Sequence, residues 1–263
     1  MNIFFKIVNF IKHQLDKDKF SFLSKNRKKH LKYIKLLEKK YNKIENYTRI
    51  ANYKVPNNIL NMIKRENFKV LISGGVEFHI EFEEEISKRY NKFFHLFEID
   101  NRSINWFNLN YKNNKRLKIF NYGISDNNVT VDCFGSEEMS FSSSMNNNFI
   151  ESHNNNFVFI NKSKVLRLNK ILENINEKEI DLLKLDIEGE AIKVIEDSIR
   201  LNIYPKIILC ELERPKHMDF ELYKQKVENL LYSIEQKYNI IVSRRDDEFN
   251  AYTIELWMIK SEK

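Results

Sequence analysis

The sequence predicts an α/β fold built on a doubly wound, mostly parallel sheet over residues 51–263, with residues 1–50 as a basic helical N-terminal extension. Three observations predict it. Short apolar runs alternate with segments of helical spacing along most of the chain. Four of the five glycines stand directly after such runs. The composition is that of a folded chain, 42% hydrophobic and 13% aromatic despite 31% charged residues. At 263 residues, one core with an extension is expected rather than two domains.

Leu31, Ile34, Leu37, Tyr41 and Ile44 recur at spacings of three and four among Lys28, Lys29, Lys32, Lys35, Lys39 and Lys40, which predicts a surface helix. Pro56 breaks any continuation, and Asn57 to Ile63 reads as a short helix. Phe68 to Ile72 is an apolar strand ending at Ser73-Gly74-Gly75, and Ile80 to Tyr90 returns to helical spacing with acids in its first turn. Phe93 to Phe97 gives a second strand closed by Glu98, Ser103 to Tyr111 the next helix, and Leu117 to Tyr122 a third strand before Gly123. From Val129 to Ile160 short alternating pieces separated by Ser- and Asn-rich linkers predict a β excursion or lid. The strand-turn-helix grammar then returns. Leu182 to Asp186 leads through Ile187-Glu188-Gly189 into a helix over Glu190 to Ile199, and Lys206 to Glu211 is the next strand. Phe220 to Tyr238 reads as a long helix, and Ile240 to Val242 with Tyr252 to Ile259 as a terminal hairpin.

Charge and cysteine usage bound the function. The formal net charge is +7, but residues 1–66 hold 17 basic and 5 acidic side chains, while the remainder holds 27 and 32. Only the head of the chain is basic, which argues against a nucleic-acid partner for the main domain. Abundant Lys, Asn, Ile, Phe and Tyr also match what AT-rich codons produce. The competing reading is a basic amphipathic N-terminus, with Phe4, Phe5, Val8 and Ile11 as its apolar side, making peripheral contact with an anionic membrane or resting on an acidic glycan. No run approaches the length of a membrane span, and Lys6, Asn9 and Lys12 interrupt the first residues. Cys133 and Cys210 form no CxxC pair, which fits a reducing compartment. The expected location is the cytoplasm, at the inner face of the membrane if the basic head docks there.

Gly74, Gly75, Gly123 and Gly189 each follow a predicted strand, where a missing Cβ lets backbone approach a ligand lying across the strand ends. Glu98, at the end of the second strand, stands where such folds place an acid for ribose hydroxyls. This geometry suits both NAD and S-adenosylmethionine. After Gly75 come Val76, Glu77, Phe78 and His79, so a full G-x-G-x-x-G is missing and Glu77 would repel a pyrophosphate. The sulfonium and ammonium of S-adenosylmethionine are instead attracted by it.

Five stretches now add up to a resemblance: Val70 to Glu85, His95 to Asp100, Asn121 to Asp126, Asp181-Leu-Leu-Lys-Leu-Asp-Ile-Glu-Gly189, and Pro205 to Glu211. In order and spacing the chain resembles the FkbM-type methyltransferases from about Tyr53 to Ile259, most specifically in the K-x-D-I-E-G block at 184 to 189. The resemblance implies a Rossmann-like, S-adenosylmethionine-dependent O-methyltransferase acting on a sugar, glycan or related hydroxylated metabolite. It implies cofactor contacts at Ser73, Gly75, Glu98 and the Gly123-Ile124 turn, to which the residue reading adds Gly74 and Glu77. Two positions depart from the family pattern. Glu77 stands where a second small residue is usual, with His79 in place of an acid, and Ala191 stands where an acid often follows Gly189.

A sugar hydroxyl must lose its proton to attack a methyl group. Asp186 and Glu188 lie at the tip of one predicted strand and Glu211 at the tip of the next, so these three are the predicted catalytic residues. Either a carboxylate removes the proton, or the same three carboxylates hold a divalent ion that acidifies the hydroxyl; the alternative role for Asp186 and Glu188 is capping the next helix. His79, His95 and His217 share no paired spacing, which argues against zinc. The absence of an Asn-Pro-Pro-aromatic motif argues against base-amine methylation. Polar stretches at Ser140 to Ser144 and Asn146 to Asn148 suit sugar recognition or plain solvation. A reading of another class is a non-catalytic Rossmann-like module that docks to an anionic membrane or an assembly partner.

Overall fold

A computed structural model describes residues 28–43, 46–65, 67–136, 143–145, 157–214, 218–243 and 253–261. The basic segment expected to be helical is helical over residues 28–40 (α1), and it is followed by β1 (Asn42–Lys43), β2 (Tyr47–Ile50), β3 (Tyr53–Pro56) and α2 (Asn57–Arg65). Strand-helix alternation then runs β4 (Leu71–Gly74), α3 (Glu81–Tyr90), β5 (Phe94–Phe97), α4 (Asn101–Tyr111) and β6 (Leu117–Phe120). The predicted β excursion is β7 (Gly123–Ile124), β8 (Val129–Ser136), β9 (Ser143–Ser144) and β10 (Phe157–Leu166), a small sheet of its own in the order β7-β10-β8-β9. After it come α5 (Leu168–Ile175), β11 (Leu182–Leu185), α6 (Ala191–Arg200), β12 (Ile207–Glu213), α7 (Phe220–Ile234), β13 (Tyr238–Ser243) and β14 (Thr253–Lys260).

The main sheet has the order β1-β13-β14-β12-β11-β4-β5-β6. All its pairings are parallel except those of β14, which is antiparallel to both β12 and β13. The chain leaves β4 toward β5 and β6 and leaves β11 toward β12, so the direction of winding reverses between β4 and β11. An open α/β sheet forms its ligand crevice at such a reversal, beyond the carboxyl ends of the strands.

Period-two alternation distributes the core. Val70, Ile72, Leu183, Leu185, Ile208 and Cys210 face α1, α5, α6 and α7, while Leu71, Phe94, Leu182, Ile207, Leu209 and Trp257 face α2, α3, α4 and the β2-β3 hairpin. Tyr33, Ile34 and Leu37 bury the apolar stripe of α1 in the first of these layers, and β1 extends the sheet beside β13, so the described part of the basic segment shares the domain's core. α7 stops at Ile234 rather than Tyr238. Glu235 to Lys237 turn the chain, and Tyr238 opens β13 with its hydroxyl donating to Pro205 O at 3.0 Å. Among the described residues, no helix is long and apolar enough to cross a membrane.

Candidate functional site

Each strand of the second face changes character toward its carboxyl end. Leu71 is followed two positions on by Ser73, Leu182 by Lys184 and then Asp186, and Leu209 by Glu211 and Glu213. On antiparallel β14, Glu255 precedes Trp257 by the same step, and β-register sets it opposite Glu211. A face that is apolar at the bottom therefore becomes a polar layer at the top. α3 and the β2-β3 hairpin cover that layer and contribute Glu83 and Tyr53.

Lys184 is its buried cation. Its Nζ lies 3.3 Å from Glu83 Oε1 and 3.7 Å from Asp186 Oδ2, and 5.4 Å over the Tyr53 ring. Tyr53 donates its hydroxyl to Asp186 Oδ2 at 2.9 Å, and Ser73 donates its own to Glu83 Oε1 at 2.5 Å. Burial lowers the Lys184 pKa, but the charges of Glu83, Asp186 and Glu211 outweigh it and the net shift is upward. Asp186, Glu211 and Glu213 each offer an oxygen within 4.8 Å of the others. Burial, and then the Asp186 charge, push the Glu213 carboxyl up to about 8, although Gly189 N–H donates to it at 2.9 Å and the Glu188 side chain hydrogen-bonds it. The Glu213 carboxyl is thereby held well above the ordinary carboxylate range. The predicted trio is brought together unevenly: Asp186 and Glu211 converge, Glu188 sits behind them against Glu213 in a left-handed turn (φ 40°), and Glu213 joins unpredicted. The predicted alternative, a cap on the helix after Gly189, falls to neither Asp186 nor Glu188: Glu190 is the cap residue of α6, and its side chain makes no capping bond.

The crevice at the β4-β11 reversal is lined by Gly75, Glu77, Glu98, Gly123, Ile124 and Asp186, together with Phe97, Ile99 and Ile187. Five of the seven predicted cofactor residues thus share one wall system. Ser73 and Gly74 do not line it: Ser73 is fully buried within β4 with its hydroxyl committed to Glu83, and a Cβ at Gly74 would meet Ile124 Cδ1 at 2.9 Å. The glycines themselves serve backbone packing. A Cβ on Gly75, whose φ is 79°, would sit 1.7 Å from Asp186 O, and one on Gly123 would sit 2.6 Å from Ile99 Cγ2. Gly75 and Gly123 thus line the crevice and at the same time let neighbouring strand-end loops approach closely.

Glu98 is buried and ties the glycine turn down. Oε2 accepts from Val76 N at 2.9 Å and Glu77 N at 2.8 Å, and Oε1 from Ile99 N at 2.6 Å and Asp100 N at 2.8 Å. Burial raises its pKa against the pull of those four N–H groups. Glu77 takes a positive φ of 47°, a conformation in which a small residue is favoured, which explains the family's usual choice at that position. The Ser103 hydroxyl donates to the Glu77 carbonyl and holds the turn in this shape.

The lining suits a cationic nucleoside: an apolar wall of Phe97, Ile99, Ile124 and Ile187 beside the acidic residues Glu77 and Asp186, with Glu98 holding the turn from behind. The space is small. The cavity measures about 40 Å³, whereas a nucleoside-sized ligand needs a pocket of several hundred Å³, so its walls must part to seat one.

The family model for the methyltransferase FkbM domain matches residues 71–238. The chain belongs to the FkbM methyltransferase family. Its reaction class is therefore methyl transfer from S-adenosylmethionine. The match takes in the whole glycine turn, Glu98 and the K-x-D-I-E-G block, while Tyr53 and Glu255 lie outside it. No curated protein matches the chain. Solved structures similar to it include the METTL16 MTase domain (12% identity, 88% of this chain and 78% of that one covered, TM-score 0.46). Others are Aeropyrum pernix fibrillarin in complex with natively bound S-adenosyl-L-methionine (11%, 75% and 68%, 0.44) and precorrin-6y C5,15-methyltransferase from Geobacter metallireducens GS-15 (11%, 82% and 95%, 0.42).

Three residues of the polar layer carry little or no signal in the sequence. Glu213 carries a weak signal, since it lies two positions beyond Glu211 and so on the same strand face. Lys184 belongs to the family block, but its partners Glu83 and Tyr53 are 101 and 131 positions away. Tyr53 carries no local signal at all.

Proposed function

We propose that the protein transfers the methyl group of S-adenosylmethionine to a hydroxyl oxygen of a sugar, glycan or related hydroxylated metabolite. One observation carries the reading: of Asp186, Glu211 and Glu213, whose carboxylate oxygens lie within 4.8 Å of one another, Asp186 is the one that also lines the crevice, and Tyr53 and Lys184 hold its carboxylate at that border. S-adenosylmethionine supplies an electrophilic methyl group on a sulfonium. Glu77 and the apolar wall of Phe97, Ile99 and Ile124 would hold it, with Glu98 keeping the turn in place. Asp186 receives the proton of the acceptor hydroxyl as the oxygen attacks.

The Asp186, Glu211 and Glu213 grouping favours one variant of this chemistry. These oxygens would also hold a divalent cation such as Mg²⁺, which would acidify the hydroxyl. A chelator separates the two: turnover that persists after chelation leaves Asp186 as the base, and turnover restored only by added metal supports the cation.

Calorimetry with S-adenosylhomocysteine, followed by an S-adenosylhomocysteine release assay across nucleotide sugars and extracted glycans, tests the proposal. We expect micromolar binding, turnover with at least one hydroxylated acceptor, and loss of turnover with retained binding in Asp186→Asn. No binding at millimolar ligand would support the non-catalytic docking module instead.

A further inference from the structure

The folded chain sorts its charges by sheet edge. Strand register aligns Leu117, Phe94, Leu71, Leu182, Ile207 and Ile259 in one row across β6, β5, β4, β11, β12 and β14. One and two positions below this row stand Lys115 and Arg116, Lys92, Lys69, Lys206 and Lys260, and Lys237 precedes Tyr238 of β13, the partner of Lys260. The four residues leading into each of β4, β5, β6, β11, β12 and β13, with Lys260, hold eight basic and three acidic side chains, the acids being Glu179, Asp181 and Glu235. The opposite edge carries the acids Glu77, Glu98, Asp100, Asp186, Glu188, Glu211, Glu213 and Glu255 against the basic Arg102, Lys184 and Arg214. This segregation occurs after residue 66, in a region whose basic and acidic residues number 27 and 32. Codon bias can raise the number of lysines but cannot assign them to one edge of a sheet.

Two aromatic rings hold these ammonium groups in place. Lys92 and Lys206 lie 5.9 and 5.3 Å from the Phe68 ring, and Lys237 and Lys260 lie 5.6 and 5.8 Å from the Tyr204 ring. Cation-π contacts reduce the rotamer freedom that docking would otherwise remove. Phe68 is itself buried and offers no open face on which a nucleobase could stack. At a strand spacing of about 4.8 Å, the row from Lys237 to Lys115 crosses seven strands and spans roughly 29 Å, an edge of mostly lysine point charges with one arginine. Beside β6 it widens into a hollow of about 440 Å³ lined by Lys88, Lys115 and Arg116 with Ser87, Asn113 and Asn114.

We propose that this amino-terminal edge of the sheet is a docking surface for an anionic lipid bilayer, which leaves the acidic crevice edge turned away from the membrane. The proposal does not depend on methyl transfer, and it makes this sheet edge, rather than α1, the main point of contact among the described residues. Each lysine close to an anionic leaflet contributes roughly five-fold in partitioning.

Co-sedimentation of the full chain with phosphatidylcholine vesicles, with and without phosphatidylserine, tests it at low and high salt. Wild type is expected to bind only the phosphatidylserine vesicles and to release at high salt. Lys69, Lys115, Lys237 and Lys260 replaced together by glutamine should lower partitioning on the order of several-hundred-fold. The same four-charge change on α1, Lys28, Lys29, Lys32 and Lys35 to glutamine, should cost less than about ten-fold. Both variants should keep the wild-type melting profile and S-adenosylhomocysteine affinity, and a misfolded edge variant is replaced by Lys115→Gln with Lys237→Gln, expected to lose about 25-fold. Equal losses in the two sets, greater loss in the α1 set, no binding by wild type, or binding to a single-stranded RNA oligonucleotide in place of vesicles would each overturn the proposal.

Discussion

Replacing Lys184 by methionine tests whether the polar layer depends on its buried cation. Methionine keeps the volume of the stem and removes the ammonium. At 3.3 Å from Glu83 and 3.7 Å from Asp186, an effective dielectric constant of about 20 gives attractions of roughly 5 and 4.5 kcal/mol. Most of that is cancelled by the desolvation of the three groups. What the variant measures is the cost of leaving Glu83, whose side chain is only 2% exposed, without its cation, about 3–5 kcal/mol. For a chain of this size that lowers Tm by roughly 6–20 °C. Urea denaturation of wild type, Lys184→Met, Glu83→Gln and the double variant completes a cycle. The double variant should recover at least about 1–2 kcal/mol relative to Lys184→Met, because neutralising Glu83 removes the orphaned charge. A Lys184→Met stability within about 1 kcal/mol of wild type, or strictly additive losses, would refute the account of the layer.

Gly75→Ala places a Cβ against Asp186 O in a backbone conformation that costs an L-residue roughly 1–2 kcal/mol, so the β4 and β11 ends must separate. Calorimetry should show S-adenosylhomocysteine affinity at least about ten-fold weaker. Tyr53→Phe removes one hydrogen bond to the Asp186 carboxylate, worth about 1.5–3 kcal/mol, and should lower kcat by roughly ten- to a hundred-fold with little change in KM. Equal loss in Tyr53→Phe and Tyr53→Ala together with a lowered Tm in both would point to packing instead. Stability should fall as pH rises from about 6.5 to 8. The folded chain keeps a proton on Glu213 up to about 8, and the unfolded chain releases it above the ordinary carboxylate pKa of about 4.3. His30, pushed down to about 3 by burial and then by Arg214, acts oppositely below about 6.5 and so does not mask that window. One such group gives a slope of up to about 1.4 kcal/mol per pH unit, hence a Tm drop of roughly 4–8 °C across it, and Glu213→Gln should flatten the curve. Asn161→Leu, which removes bonds to Ile99 O at 2.9 Å and Asn101 N at 3.1 Å, should cost about 1–3 kcal/mol in chemical denaturation by loosening β10 from the crevice rim.

The amino-acid sequence by itself determined the alternation of strand and helix, the placement of Gly75, Glu98 and Gly123 at strand ends, and the family block around Asp186. Each of these is a pattern among neighbours in the chain: a period of two or 3.6, a residue without a Cβ, or an acid after an apolar run. The strand ends lie together because a parallel sheet aligns them, so the crevice was legible as a set of positions. What those positions do was decided only by the tertiary structure. Glu98 spends its oxygens on four backbone N–H groups, Ser73 turns toward Glu83, and the glycines admit neighbouring loops. The polar layer likewise depends on register. Tyr53, Glu83, Lys184, Glu213 and Glu255 come from five separate elements, and nothing local distinguishes Tyr53 from any other tyrosine until the β2-β3 hairpin is folded over Asp186. A buried charge is tolerable only where partners from elsewhere in the chain compensate it, and the identity of those partners is fixed by packing.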